Sequence, residues 1–274
     1  MSARLLVDGV ANASVAALDR GLLYGDGLFE TVLFIDGRAP LWARHLARLA
    51  DGCARLALPM PDPALLAAEA ARVIDARARA VLRITLTRGV GARGYALPEP
   101  AQATRIVAAF AAPAVAAHWY AAGIRVRFCS MRLALQPRLA GIKHLNRLEQ
   151  VLARAEWNDP AIAEGLMLDT EGRVIAATAA NLFAVIDGRL CTPRLDRCGI
   201  AGVARAEVMA QVPTSELDLL PAALERASEV FLTSAVRGVL AVSAIADRAF
   251  AIGPVTRALQ AHWRALGLAS GSES

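Results

Sequence analysis

The chain has 274 residues, 56% of them hydrophobic and 20% charged, which is enough apolar material for one large domain or two ordinary ones. Its formal charge of +5 and pI near 9.5 come from arginines spread along the chain, without basic blocks or interleaved aromatics, so no nucleic-acid partner is expected. Asp, Arg or Pro interrupts every apolar run before the roughly 18 residues that span a bilayer, and Asp8 cuts short the apolar start, so the expectation is a cytoplasmic chain with no membrane partner.

In chain order, 5–7 followed by Asp8-Gly9 predicts a short strand and a turn, and 28–35 a strand closed by Asp36-Gly37. Apolar residues at Leu46, Leu49, Cys53 and Leu56 recur at helical spacing, predicting a helix over 41–56, with a second over 64–78. Alternation over 81–87 and the run 104–110 predict two strands. The stretch 111–122 is low in complexity and carries Pro113, which marks a junction. Beyond it, 124–131, 166–168, 174–176, 182–186, 190–192, 230–233 and 239–242 read as strands, and 146–157, 202–212 and 254–266 as helices. The fold class is therefore α+β in two domains: 1–112, a linker over 113–122, and 123–274.

Several chemistries are excluded by context. Gly89, Gly91 and Gly94 fit the spacing of a dinucleotide-binding turn, but Pro98 and Pro100 follow where a helix must start. That stretch reads instead as a loop carrying Arg93 and Tyr95. The four cysteines and four histidines show no ligand spacing, so no metal is expected. Gly199 to Gly202 lead into a helix start, whose free N–H groups and dipole suit a phosphate.

Among the 30 basic side chains there is a single lysine, Lys143. Arginine replaces lysine wherever only a solvated charge is needed, but guanidinium keeps its proton and cannot act as an amine nucleophile or base. One retained lysine therefore points to amine chemistry, such as a Schiff base to a carbonyl compound. The plain alternative is a codon bias that left one lysine by chance, and composition alone does not choose.

The stretch 141–152 (GIKHLNRLEQVL), with 19–31 (DRGLLYGDGLFET), 45–49, 87–95, 179–183 and 192–202 in the same order, resembles the fold-type IV pyridoxal-phosphate enzymes. Within them it is most similar to the aminodeoxychorismate lyases, with the branched-chain and D-amino-acid aminotransferases as relatives. The resemblance implies a D-amino-acid aminotransferase-like fold. A smaller N-terminal α/β domain and a larger C-terminal one hold pyridoxal 5'-phosphate between them, in a homodimer. It implies a lyase that splits aminodeoxychorismate, a small-molecule substrate, into p-aminobenzoate and pyruvate. By position, Lys143 matches the Schiff-base lysine. Arg48, the backbone of Gly202, Val203 and Ala204, and the turn at Ser234 and Ala235 match the phosphate ligands. Thr31 matches the lyases' proton-donating threonine, where branched-chain aminotransferases carry glycine. Arg93 and Tyr95 match a loop that reaches the substrate carboxylate. Ala176 departs from the pattern, standing where these enzymes carry the glutamate that keeps the pyridine nitrogen protonated. Another group supplying that contact, a lyase needing less electron withdrawal because its product is aromatic, and a changed or lost activity are the explanations. The second is favoured. The competing functions are a fold-type IV aminotransferase and a cofactor-binding protein without activity.

Overall fold

A computed structural model describes residues 4–75 and 77–268, and the chain forms two compact units. The first comprises residues 1–113 with Ile142–Asn146, and the second 114–141 with 147–274. The lysine segment thus groups with the first unit, whereas the sequence reading assigned it to the C-terminal domain.

The first unit contains β1 (Arg4–Val7), β2 (Val10–Ala11), α1 (Arg20–Tyr24), β3 (Gly27–Ile35), α2 (Trp42–Leu56), α3 (Pro63–Ile74), β4 (Arg79–Thr87) and β5 (Thr104–Ala111). Its strands form an antiparallel sheet in the order β2-β1-β5-β4-β3. Asp8 and Gly9 both have positive φ, as a tight turn twisting with its two strands requires. Leu28, Val32 and Phe34 alternate along β3 and bury one sheet face against Leu49 and Cys53 of α2 and Leu66 and Val73 of α3. The helix expected over 64–78 ends at Ile74, and residue 76 lies outside the described residues. The glycine-rich stretch before β3 is partly helical, because Asp19 caps α1 by accepting from the Gly21 N–H at 2.7 Å.

The second unit contains α4 (Ala117–Ala122), β6 (Ile124–Leu133), α5 (Leu148–Arg154), β7 (Ile162–Asp169), β8 (Val174–Ala177), β9 (Asn181–Ile186), β10 (Arg189–Pro193), α6 (Val203–Gln211), β11 (Thr214–Leu217), α7 (Pro221–Leu224), β12 (Ala227–Ser234), β13 (Gly238–Ile245), β14 (Arg248–Ala249) and α8 (Pro254–Ala265). The sheet runs β11-β10-β9-β12-β13-β6-β7-β8, with β14 on β13. The stretch read as a linker supplies α4 to this unit, where Tyr120 Oη donates to the Arg237 carbonyl at 2.9 Å. Glu229, buried in β12, caps the start of α8 by accepting from the N–H and hydroxyl of Thr256, both at 2.8 Å.

The helix expected over 146–157 is shorter at both ends. Leu145 donates to the Gly27 carbonyl at 3.0 Å, which holds the preceding backbone extended. At the other end the Glu156 carboxylate turns back to accept from the N–H groups of Ser130 and Met131. Among the described residues no helix is long and apolar enough to cross a membrane.

Candidate active site

In the first unit, residues 142–146 lie along the free edge of β3. Leu28 bridges His144 in antiparallel register, and the Phe29 N–H donates to the Lys143 carbonyl at 3.0 Å. Ile142 is buried in the core with Leu28. Gly27 permits the approach, since a Cβ there would meet the Leu86 carbonyl at 2.4 Å and Leu145 Cδ1 at 2.9 Å. Alternation turns Lys143 to the other sheet face, directly across from Phe29, and its Nζ lies 4.2 Å from the Phe29 ring centroid.

That face is a compact chemical group. Thr31 follows Phe29 by two residues and so shares its face, diagonal to Lys143 at the order of 7 Å expected for such neighbours. Thr31 pairs with Arg83 on β4, whose Cζ lies 4.2 Å from the same Phe29 ring and whose Nε donates to Thr85 Oγ1 at 3.2 Å. The sequence reading named Lys143 and Thr31 but missed Phe29 and Arg83. The alternation of β3 carried the signal, since Phe29 and Thr31 must face together and Thr31 must face its cross-strand partner.

Arg48 lies on the opposite, helix-covered face. Its Nε and Nη2 donate to the two carboxylate oxygens of Glu30 at 2.8 and 2.5 Å, and His45 Nδ1 lies 2.6 Å from Glu30 Oε2. His45 and Arg48 are three residues apart on α2 and so reach the same point. Burial works to raise the Glu30 carboxyl, but the bonds from Arg48 and His45 outweigh it and hold its pKa below the usual range. Burial pushes the His45 pKa down despite Glu30, with the Arg48 and Lys143 charges adding to the effect. The imidazole is therefore neutral near pH 7, and facing an ionised carboxylate it carries its proton on Nδ1.

Arg93 and Tyr95 sit on a turn fastened from beneath. Arg20, 3% exposed, donates to the Gly94 carbonyl at 2.9 Å and to Asp26 at 2.9 Å, and Arg88 also grips Asp26. Tyr24 meets the Tyr95 ring edge-on at 5.4 Å. The side chains of Arg93 and Tyr95 are both exposed.

In the second unit, Gly202 caps α6, and Val203 and Ala204 form its buried first turn. A Cβ on Gly202 would lie 2.0 Å from Asn181 Oδ1, so only glycine fits there. Asn181 Nδ2 donates to the Ile200 carbonyl at 2.9 Å, and Asn181 pairs across strands with Thr233, next to Ser234. Thr233 Oγ1 is buried with no hydrogen-bond partner among the described residues. Ser234 Oγ accepts from the Arg237 N–H at 3.1 Å, which sets the turn containing Ala235. The first-turn N–H groups and the small residues around them fit an anionic phosphate.

Ala176 packs among Cys129, Met167, Leu195 and Cys198. Burial pushes the thiols up to about 11 at Cys129 and about 12 at Cys198, so they are uncharged near neutral pH. Glu164 on the neighbouring β7 lies on the other sheet face, with Leu166 and Leu168, and accepts from the Thr178 hydroxyl. It does not stand in for a carboxylate at position 176.

Comparison with known proteins agrees with this architecture. The model of the class IV amino-transferase family matches residues 27–245. Aminodeoxychorismate lyase of Vibrio harveyi is 34% identical over 93% of this chain and 97% of its own length. The crystal structure of 4-amino-4-deoxychorismate lyase from Pseudomonas aeruginosa superposes with a TM-score of 0.91 at 46% identity, covering 95% of this chain and 98% of that one. Branched-chain amino acid aminotransferase from Escherichia coli shares the fold, with a TM-score of 0.84 at 23% identity over 100% of this chain and 98% of its own. The chain belongs to the class IV amino-transferase family, with its fold-type IV architecture.

Proposed function

We infer that the protein is a pyridoxal-phosphate-dependent aminodeoxychorismate lyase, releasing p-aminobenzoate and pyruvate. The observation that carries this reading is the near full-length match to two such lyases, in a chain whose one lysine shares a sheet face with Thr31. Bound pyridoxal phosphate supplies an electron sink for the substrate's amino-bearing carbon. Lys143 carries the cofactor and, once its amine is released, takes the proton from that carbon. As the bond from the ring to the enolpyruvyl oxygen breaks and the ring becomes aromatic, the Thr31 hydroxyl protonates the methylene of that leaving group, directly or through a water, to give pyruvate, and its diagonal position beside Lys143 supports that role. Arg48, the backbone N–H groups at Gly202, Val203 and Ala204, and the turn at Ser234 and Ala235 are assigned to the cofactor phosphate.

Arg93 and Tyr95 are assigned to substrate carboxylate. Arg83 joins them in this reading, as a half-buried guanidinium on the Lys143 face. The protein works as a cytoplasmic homodimer. The exposed Leu148, Val151 and Leu152 of α5 support an interface, and light scattering on the purified protein tests it.

The direct test is the visible spectrum of the purified protein before and after addition of aminodeoxychorismate, with product analysis. A cofactor band together with p-aminobenzoate and pyruvate is expected. A band without those products supports an aminotransferase instead. No band even with excess pyridoxal phosphate means that the family's chemistry has been lost.

A further inference from the structure

Two cations share one aromatic ring on the Lys143 face. Lys143 Nζ and Arg83 Cζ each lie 4.2 Å from the centroid of Phe29, which is 8% exposed. A buried ring attracts cations through the negative potential of its face, and the attraction strengthens as water is removed. The backbone adds to the constraint. Phe29 N–H holds the Lys143 carbonyl at 3.0 Å, so ring and lysine are cross-strand partners with little freedom to drift apart. On the other side of β3, Thr31 of the same face pairs with Arg83 of β4.

We propose that Phe29 is a positioning residue, a seat on which the Lys143 ammonium rests whenever the amine is not joined to the cofactor. The same ring holds the Arg83 guanidinium beside it. The seat keeps the released amine on the sheet face that Phe29 shares with Thr31. This rests on the reading of Lys143 as the cofactor-carrying lysine.

The single lysine makes the test unambiguous, because full-length protein labelled with carbon-13 lysine yields one set of lysine side-chain resonances. Before cofactor is added, the Hε resonance of Lys143 is expected upfield of its ordinary position, displaced by the ring current. Phe29→Tyr should keep the displacement and Phe29→Leu should abolish it. The protonation constant of the amine should fall about two- to fivefold in Phe29→Leu, the equivalent of one exposed-to-partly-buried cation–π contact, and stay unchanged in Phe29→Tyr. An ordinary Hε position in the unaltered protein overturns the proposal without any variant having to fold. So does a protonation constant that Phe29→Leu leaves alone. Borohydride fixation of pyridoxal phosphate reads the underlying assignment separately. Fixation at Lys143 without a ring-current shift refutes the seat alone, whereas a shift without fixation upholds the seat and refutes the lysine's cofactor role.

Discussion

Glu30→Gln removes a charge that bonds to both Arg48 and His45 while keeping the shape of the side chain. Glu30 is 1% exposed and the Arg48 side chain 12%, so the variant leaves a largely buried guanidinium facing a neutral amide. Removing one partner of a buried ion pair costs about 3–5 kcal/mol. The amide oxygen retains one acceptor for Arg48, which puts the expectation at the low end, about 3 kcal/mol. At roughly 2–4 °C per kcal/mol for a chain of this size class, the melting temperature should fall by about 6–12 °C. The pH dependence gives a second reading. Glu30 has its folded pKa depressed, so its contribution is full above the unfolded carboxylate value and is lost as pH falls through the folded one. His45 is depressed as well and adds acid lability below its unfolded value. Thermal melts and denaturant titrations from pH 7 to pH 3 should therefore show the gap between the two proteins closing at the acid end. A loss under about 1 kcal/mol at pH 7, or a gap that does not change with pH, would refute the argument that this carboxylate is ionised and paired.

Lys143→Arg should abolish turnover and borohydride fixation of pyridoxal phosphate, with the melting temperature of the cofactor-free protein within about 2 °C, since charge is kept and amine lost. Thr31→Ala should slow product release by roughly 10²–10⁴-fold, the usual weight of one proton-transfer group, with cofactor still bound and Thr31→Ser restoring most of the rate. An unchanged rate in steady-state assays refutes the role. Gly202→Ala sets a methyl 2.0 Å from Asn181 Oδ1, so equilibrium titration should show at least tenfold weaker binding of pyridoxal phosphate, or thermal melts a loss of about 1–3 kcal/mol. Ala176→Glu puts a carboxylate among Cys129, Met167, Leu195 and Cys198, and should raise that carboxyl's pKa and lower stability by about 2–4 kcal/mol. A large gain in lyase turnover from this variant contradicts the view that aromatisation lessens the need for a pyridine-nitrogen partner.

Much of the fold follows from short-range pattern. The spacing of Leu46, Leu49, Cys53 and Leu56 is a helix stripe in any context, and α2 forms there. Asp187-Gly188 adopts positive φ at both residues and closes β9 onto β10, because few other pairs accept that backbone. Local pattern gives out where distant segments compete for the same backbone groups. Asn146 and Arg147 read as the start of a helix, but the neighbouring Leu145 bonds to β3, more than 100 residues earlier, and α5 begins only at Leu148. The glycine-rich stretch before β3 shows no helical pattern in the sequence, and the Asp19 carboxylate caps α1 there.

The site divides in the same way. That Lys143 is the one side-chain amine was readable from composition, although composition did not choose between amine chemistry and codon bias. That its amine meets the Phe29 ring, on the face that Thr31 shares, was decided by the antiparallel register of 142–146 against β3. A shift of one residue would have turned Lys143 into the helix-covered core and Ile142 out of it. The pairing of Glu30 with both His45 and Arg48 likewise needed α2 laid across that strand. The sequence determined which groups are present and which faces they share within one strand or helix. Tertiary structure alone determined their neighbours, because contacts between distant segments depend on register and packing that no local window contains.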